Sequence, residues 1–338
     1  MTASSLQGLG WSQDFADRLG PDDAGLAPAR VAMVHRSRLM VETGAGQVRL
    51  DPSAPATTTD FAVGDWVMME PETRRLVRRL ERRTLLSRRT EGGRFPQLVV
   101  ANVDTMFIVT SCNEDFSPAR LERYLALVNE AGIASVIVLT KVDQVDDAEV
   151  YRAEADALQR DLPVVLLNAK MPDAALILAP WCRPGQTVAL IGSSGVGKST
   201  LLNTLADKAP DDAQPTGGIR EGDAKGRHTT TSRSLHAIAG GACAIDTPGM
   251  RTLHVSDAGA GLDQVFAEVT DLAPMCRFRD CTHAHEPGCA VQAAVAAGAL
   301  SAARLDRWRK LDAENHANTP VQGGPRGNKT SIPGRKRR

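Results

Sequence analysis

A glycine-rich segment that contains a single lysine has the spacing of a phosphate-binding loop. After the apolar run TVALI the chain reads GSSGVGKST and continues with a helical pattern. Glycines let the backbone curl so that its N–H groups point at phosphate oxygens, and the start of a helix adds a favourable dipole. Lys198 would reach the β- and γ-phosphates, and the Ser199 hydroxyl would bind Mg²⁺. We therefore predict a nucleotide phosphate site here rather than a plain glycine-rich turn. Its residues are Gly192, Ser193, Ser194, Gly195, Val196, Gly197, Lys198, Ser199 and Thr200.

Two segments further along the chain could complete a site for magnesium and the γ-phosphate. Asp246 follows the apolar run ACAI and precedes Thr-Pro-Gly249, so its carboxylate could join the magnesium shell while the Gly249 N–H binds the γ-phosphate. In the loop GRHTTT, a threonine could close on magnesium only when the γ-phosphate is present. We assign Thr230 to magnesium and Thr229 to the nucleotide, although the sequence does not decide between them. A plain turn at DTPG is the alternative.

An aspartate upstream of these motifs predicts a preference for guanine. Asp143 ends the segment TKVD after the run SVIVL, and a carboxylate can accept from both guanine N1–H and its exocyclic amine. The segment Asn168-Ala-Lys follows the next predicted strand, where the Ala169 N–H could hold the guanine carbonyl. Both segments fall at the carboxyl ends of strands, where α/β proteins bind ligands. The predicted base contacts are Thr140, Lys141, Val142, Asp143, Ala169 and Lys170.

The base motifs precede the phosphate motif, which is the reverse of their usual order in GTPases. Such an order requires a circular permutation, and this is physically possible because the termini of a domain often lie close together. The chain then runs directly from Gly249 into a C-terminal region. We hypothesise that movement at residues 246–249 is passed to that region.

Three cysteines and a histidine have the spacing of a structural zinc site. The pattern is C-x4-C-x-H-x5-C, with the ligands Cys276, Cys281, His283 and Cys289. Four protein ligands close a tetrahedral shell, which indicates one structural Zn²⁺ rather than catalysis. His285 is a competing imidazole, and buried free thiols are the alternative interpretation.

The elements that must position these residues suggest several units. Short alternating runs over residues 29–95 predict a small antiparallel β-barrel after a flexible leader at 1–28. Apolar strands alternate with helical stretches over 96–255, which predicts a mostly parallel sheet. The Cys/His unit of 256–316 would contain an alanine-rich helix from about Val291 to Leu311, and a basic tail at 317–338 is predicted to be disordered.

Charge is segregated along the chain although 40 basic residues balance 40 acidic ones. The segment from Arg74 to Arg89 is rich in arginine, so it could bind phosphate backbones; a solvated helical face is the plain alternative. No apolar run approaches the ~20 residues of a membrane span. Neither a secretory signal nor a membrane partner is expected, which predicts a cytoplasmic protein.

The combination of motifs resembles the RsgA (YjeQ/YloQ) family of GTPases that depend on the small ribosomal subunit. Over about residues 30–315 the order is TKVD, NAK, GSSGVGKST, GRHTTT and DTPG, preceded by VGDWV and followed by the Cys/His pattern. The resemblance implies an N-terminal OB-fold, a circularly permuted P-loop GTPase domain and a C-terminal helical zinc domain. It also implies Mg²⁺ with GTP, hydrolysis to GDP stimulated by the 30S subunit, and contact with 16S rRNA in late 30S maturation. A monomer is expected, although the sequence does not decide the oligomeric state. Thr140 and Asn168 depart from the asparagine and serine common at these positions.

The residue that orients the attacking water is not the usual glutamine. Met250 stands at that position and cannot do it, whereas His228 resembles the histidine that the family offers instead. A histidine that merely caps the loop is the alternative. The predicted catalytic residues are His228, Lys198 and Thr230. Two rival functions are a permuted GTPase acting on the large subunit and an RNA-binding scaffold with a vestigial nucleotide site.

Overall fold

The structure is a computed structural model. It describes residues 6–52, 54–89, 96–206, 233–247 and 254–319. Within these ranges no helix is long and apolar enough to cross a membrane.

The N-terminal part of the chain forms a five-stranded antiparallel sheet, which confirms the predicted β domain. Its strands pair in the order β3-β2-β1-β4-β5, so that β1 is central. No ladder between β3 and β5 occurs among the described residues, so these two strands form the edges of the sheet. Alternate residues such as Val31, Val41 and Val67 face its apolar core. The strands are β1 (Ala27–Val34), β2 (Leu39–Thr43), β3 (Gly46–Leu50), β4 (Trp66–Met69) and β5 (Leu76–Arg79).

Residues 6–26, which precede this sheet, are packed against it. Helix α1 (Gln13–Ala16) places the fully buried Phe15 against Trp66, with ring centroids 5.9 Å apart. Trp11 meets the same indole edge-on at 4.8 Å. The expectation of a flexible leader is therefore wrong for residues 6–26, because their aromatic side chains cover an apolar face of the sheet that would otherwise be exposed.

A six-stranded, mostly parallel sheet forms the centre of the molecule and confirms the predicted α/β unit. Its order is β10-β9-β8-β11-β13-β12, and only β12 runs antiparallel to its neighbour. Strands β8 and β11 are buried along their whole length, which explains why they read as continuous apolar runs. The strands are β6 (Leu85–Arg88) and β7 (Gln97–Ala101), which form a separate pair, then β8 (Thr105–Ser111), β9 (Ala134–Thr140), β10 (Val164–Leu166), β11 (Thr187–Ile191), β12 (Ser234–Ile238) and β13 (Ala242–Asp246).

Helices cover this sheet and continue into the C-terminal region. The first of them starts with Pro118, a residue suited to the first helical position. The helices are α2 (Pro118–Glu130), α3 (Glu149–Asp156), α4 (Asp173–Leu178), α5 (Lys198–Leu205), α6 (Gly259–Val265), α7 (Ala267–Leu272), α8 (Ala290–Ala296) and α9 (Ala302–Asn318). The single alanine-rich helix expected from Val291 to Leu311 is thus two helices, because the chain reverses at Gly298, where φ is +75°.

The C-terminal helices pack directly on α2. One apolar core contains Leu125 of α2, Val265 of α6 and Leu305 of α9. At Gly261 a Cβ would lie only 1.9 Å from the carbonyl oxygen of Ala126, so the close approach of α6 to α2 requires glycine there. Main-chain groups just before α6 are also held by α9, since Val255 N–H donates to Glu314 at 2.9 Å.

Candidate nucleotide and metal sites

The predicted phosphate loop lies between the end of β11 and the start of α5. Gly192 has a φ of +154°, and a Cβ there would lie 2.1 Å from the carbonyl oxygen of Val109 on the neighbouring strand. Gly197, with a φ of +98°, is the N-cap of α5. Glycine is therefore required at both positions, and the loop leads its N–H groups into the positive end of a helix dipole.

Lys198 is buried where this loop ends, at the first residue of α5. Its Nζ donates to the carbonyl oxygens of Gly192, at 2.9 Å, and Ser193, at 2.5 Å. Burial lowers the pKa of Lys198 to about 8, and the negative charge of Asp246 opposes that shift. The ammonium group thus lacks the full charge compensation that bound phosphates would supply.

Asp246 reaches the same edge of the sheet from the neighbouring strand. It ends β13, opposite Leu190 of β11, and is 1% exposed. The hydroxyl of the adjacent Thr247 donates to the carbonyl of Leu190 and so ties the two strand ends together. The carboxylate is therefore close to the loop that precedes Ser199, as a shared magnesium shell requires.

Thr140, at the end of β9, is connected to the phosphate loop. Its hydroxyl oxygen lies 2.6 Å from the carbonyl oxygen of Val196 and 3.2 Å from that of Thr110. Thr140 is fully buried, whereas Asp143 is exposed in the short helical turn Val142–Gln144. The hydroxyl of Thr140 thus secures the loop, and the carboxylate of Asp143 remains free to meet a base.

The second base motif, Asn168-Ala-Lys, lies against Gly197 of the phosphate loop, as Thr140 does. A Cβ built at Gly197 would lie 3.5 Å from the Thr140 hydroxyl and 3.8 Å from the Ala169 side chain. The Ala169 carbonyl accepts from Thr204 of α5 at 2.7 Å. The structure therefore brings the phosphate motif and both base motifs together, although they are distant in the sequence. His228, Thr229, Thr230, Gly249 and Met250 lie outside the described residues, and their roles stay predictions.

Two residues beside the phosphate loop were missed by sequence reasoning. The guanidinium Nη1 of Arg120 donates to the Ser193 hydroxyl at 2.5 Å, and the phenol of Tyr124 bonds the same hydroxyl. Arg120 and Tyr124 are one helical turn apart on α2 and so share a face. Their one sequence signal is that α2 follows the carboxyl end of β8, beside the strand that carries the loop.

The four predicted zinc ligands converge. The ligand atoms of Cys276, Cys281, His283 and Cys289 all lie within 4.8 Å of one another. The sulfur atoms of Cys276 and Cys289 are 3.8 Å apart, which matches the spacing of about 3.8 Å that a tetrahedral ion with zinc–sulfur bonds of about 2.3 Å imposes. The donor set fits one structural Zn²⁺.

His283, and not His285, belongs to this cluster. His283 is buried with its Nδ1 3.5 Å from the sulfur atoms of Cys276 and Cys289, whereas His285 is exposed. Burial lowers the pKa of His283 below its ordinary value, which favours the neutral imidazole that a metal needs. Gln292 and Arg309 donate to its carbonyl and hold this turn on α8 and α9.

The arginine-rich segment is largely committed to internal ion pairs. It forms β5 and β6 and not a helical face. Arg78 pairs with Asp23 at 2.6 Å and Arg82 with Asp65 at 2.7 Å. Arg75, Arg83 and Arg89 are paired as well. Arg74, Arg79 and Arg88 have no carboxylate partner among the described residues.

The fold and the site together define a P-loop nucleotide-binding protein whose base motifs precede its phosphate loop. Residues 79–256 match the family of RsgA GTPases. The "Small ribosomal subunit biogenesis GTPase RsgA" of Mesorhizobium japonicum is 64% identical over all of this chain and 98% of its own. The protein named RsgA 2 in Vibrio parahaemolyticus is 46% identical over 94% of this chain and 87% of its own. The chain therefore belongs to the RsgA GTPase family.

Solved structures agree with the architecture. YjeQ from Thermotoga maritima aligns with a TM-score of 0.61 at 24% identity, over 86% of this chain and 98% of its own. YloQ, described as a circularly permuted GTPase, aligns with a TM-score of 0.59 at 23% identity, over 90% of this chain and 99% of its own. This likeness confirms the circularly permuted fold.

Proposed function

We propose that this protein binds GTP with Mg²⁺ and hydrolyses it to GDP and phosphate during biogenesis of the small ribosomal subunit. The observation that carries the proposal is the meeting of Thr140, Ala169 and the phosphate loop at Gly197. A nucleotide whose phosphates lie on the loop would extend its base toward the ends of β9 and β10. The exposed carboxylate of Asp143 would then select guanine over adenine, because adenine offers no exocyclic amine at that edge.

The residues divide into phosphate, magnesium and water functions. Lys198 neutralises the β- and γ-phosphates, while Ser199, Asp246 and Thr230 hold magnesium. The main chain of the loop and of Gly249 binds phosphate oxygens, with Thr229 beside them. Magnesium, when bound, neutralises the charge that develops between the β- and γ-phosphates. His228 orients the attacking water, since Met250 has no group that can do so.

The small ribosomal subunit is the proposed partner, and 16S rRNA is its proposed contact. Support comes from the names of the relatives at 64% and 46% identity. Arg74, Arg79 and Arg88, which have no carboxylate partner among the described residues, are the proposed contacts for phosphates of the RNA backbone. We further propose a cytoplasmic monomer with units at 29–95, 96–255 and 256–316, the last folded around one Zn²⁺.

Nucleotide binding and turnover test this function. The full-length protein should bind labelled GDP and GTP in magnesium buffer, and unlabelled ATP should fail to compete. Phosphate release should rise when purified 30S subunits are added. The variant Lys198→Ala should abolish binding, whereas Lys310→Ala, at an exposed position on α9, should retain most of it.

Four results would contradict parts of the proposal. Equal competition by ATP would refute the guanine site. Stimulation by 50S and not 30S subunits would indicate the large-subunit rival. Tight binding to 30S subunits with no phosphate release under any condition would favour the scaffold with a vestigial site. If His228→Ala kept normal stimulated turnover and normal GTP binding, the water-orienting role would be excluded.

A further inference from the structure

A second cation lies at the phosphate loop besides Lys198. Arg120, the third residue of α2, donates from Nη1 to the Ser193 hydroxyl at 2.5 Å. The same nitrogen lies 3.5 Å from the carbonyl oxygen of Asp115, which comes just before the helix. The side chain is half-buried and is therefore directed at the loop instead of extending into solvent.

Among the residues that the structure describes, no carboxylate pairs with Arg120. Arg123, on the next turn position of the same helix, is paired with Glu314 of α9. Most of the arginines described above have carboxylate partners in the same way, but Arg120 has none among the described residues; its partners are a hydroxyl and a carbonyl. A half-buried guanidinium that contacts only neutral oxygens retains its full charge for an anionic ligand.

Ser193, the second residue of the phosphate loop, lies on the side of the loop where we place the γ-phosphate. The Nζ of Lys198, which in this motif reaches the β- and γ-phosphates, lies 2.5 Å from the Ser193 carbonyl oxygen. Arg120 contacts the hydroxyl of that same serine. The two cations thus meet at one residue, and they approach it from different elements.

The order of the strands places Arg120 opposite the magnesium side. Strand β11, which leads into the loop, lies between β13 and β8. Asp246 comes from the end of β13, whereas Arg120 comes from the helix that follows β8. A γ-phosphate on the loop would therefore have the magnesium ligand on one flank and the guanidinium on the other.

We propose that Arg120 is a catalytic cation that donates to a γ-phosphate oxygen of bound GTP; this rests on the proposed GTPase function. The water oxygen adds to the γ-phosphorus, and the bond from that phosphorus to the β–γ bridging oxygen breaks with its electron pair left on GDP. The water proton passes to the released phosphate. Arg120 forms no covalent bond and neutralises the charge on the γ-phosphate oxygens, as an arginine supplied within the same chain can do.

The affinities for GDP and for a non-hydrolysable GTP analogue, together with kcat, test this role. In Arg120→Ala we expect affinity for the analogue to fall about tenfold while affinity for GDP stays within about twofold, and kcat to fall about 100-fold. Arg120→Lys keeps a charge and should recover part of kcat. Ser193→Ala, within the phosphate loop, removes the serine contact and leaves the cation, so any loss of affinity that it causes should fall equally on GDP and on the analogue. Arg152→Ala, on the exposed face of α3, is the matched arginine control.

The outcomes separate this role from a purely structural one. Equal loss of GDP and analogue affinity in Arg120→Ala, reproduced by Ser193→Ala, would mean that Arg120 only orders the loop, and the proposal would be overturned. An Arg120→Ala protein with unchanged kcat would overturn it too. If that variant folds poorly, the ratio of the two affinities still decides, because it does not depend on the folded fraction, and Arg120→Gln repeats the test. Failure of the unmodified protein to bind guanine nucleotides would instead refute the proposed function itself.

Discussion

The carboxylate of Glu122 lies 2.6 Å from Nη1 of Arg304, although 182 positions separate the two residues in the chain. Glu122 is fully buried on α2, and the Arg304 side chain, on α9, is 7% exposed. The same carboxylate accepts from Arg307 at 2.7 Å. Arg304 also pairs with Glu268 at 2.7 Å. The helix that contacts the phosphate loop is therefore fixed to the C-terminal helix by buried charges.

Removal of the Glu122 carboxylate should destabilise the protein strongly. In Glu122→Ala, two guanidinium groups lose a buried partner, so we expect the free energy of unfolding to fall by about 3 kcal/mol. Chemical denaturation followed by circular dichroism measures this change. Glu149→Ala, which removes an exposed pair on α3, should cost about 0.5 kcal/mol or less. Similar losses of unfolding free energy in the two variants would show that the buried ion pairs stabilise the fold no more than an exposed pair does.

Two glycines of α6 should respond oppositely to alanine. At Gly261 the added methyl would meet the Ala126 carbonyl oxygen, so Gly261→Ala should push α6 from α2 and cost about 3 kcal/mol. At Gly259 a Cβ would meet nothing within 4 Å, so Gly259→Ala should be neutral or slightly stabilising, as helix propensity predicts. Thermal unfolding of both variants distinguishes the effects. A stable Gly261→Ala protein would mean that the helices can separate at little cost.

The metal cluster should hold one zinc ion through His283. Purified protein should contain about one zinc per chain by elemental analysis, as a closed four-ligand shell requires. His283→Ala should lose most of it and become sensitive to proteolysis in the C-terminal region. His285→Ala should keep the ion, because His285 is exposed outside the cluster. Loss of zinc in both variants, or in neither, would contradict this ligand assignment.

The lowered pKa of Lys198 should make nucleotide binding consume a proton at alkaline pH. Folding lowers this pKa from 10.5 to about 8, so between these values the unfolded chain binds more protons and the nucleotide-free protein gains stability as pH rises. Bound phosphates favour the charged lysine and raise its pKa again. Binding at about pH 9 should therefore take up a proton, and affinity should fall as pH rises through about 8.

Calorimetry in two buffers of different ionisation enthalpy measures this uptake. At about pH 6.5 the lysine is already charged, so the uptake assigned to it should vanish. Lys198→Arg supplies the control, because arginine stays protonated throughout and should show none if it still binds. The same uptake in Lys198→Arg would assign the proton to another group.

Where local spacing determines a motif, the sequence alone was enough to propose it. The phosphate loop, the base motifs and the zinc ligands each combine residue types with a short spacing, and strand ends bring the first two to one edge of the sheet. Contacts between distant elements had no such signal. Arg120 and Ser193 meet only because α2 follows β8, the strand next to β11, and nothing in the run PARLERY distinguishes Arg120 from Arg123.

The arginine-rich segment, residues 74–89, also shows that local composition cannot reveal contacts with distant residues. Its composition indicated an RNA-binding face, yet Arg78 and Arg82 are neutralised by Asp23 and Asp65, which approach from other parts of the fold. Thr140 is a further case, since its hydroxyl is oriented by the Val196 carbonyl of a loop that comes much later in the chain. Tertiary neighbours, and not local pattern, decide which polar groups remain available.

The permuted strand order has a consequence for the chain as it is synthesised. Within the six-stranded sheet, strands β8, β9 and β10 are synthesised first and can pair with one another. Strand β8 keeps an open edge until β11 is synthesised and pairs with it. Strand β13 then completes the other side of β11. Since Asp246 ends that last strand, a nascent polypeptide acquires its complete nucleotide pocket only when most of its length has left the ribosome.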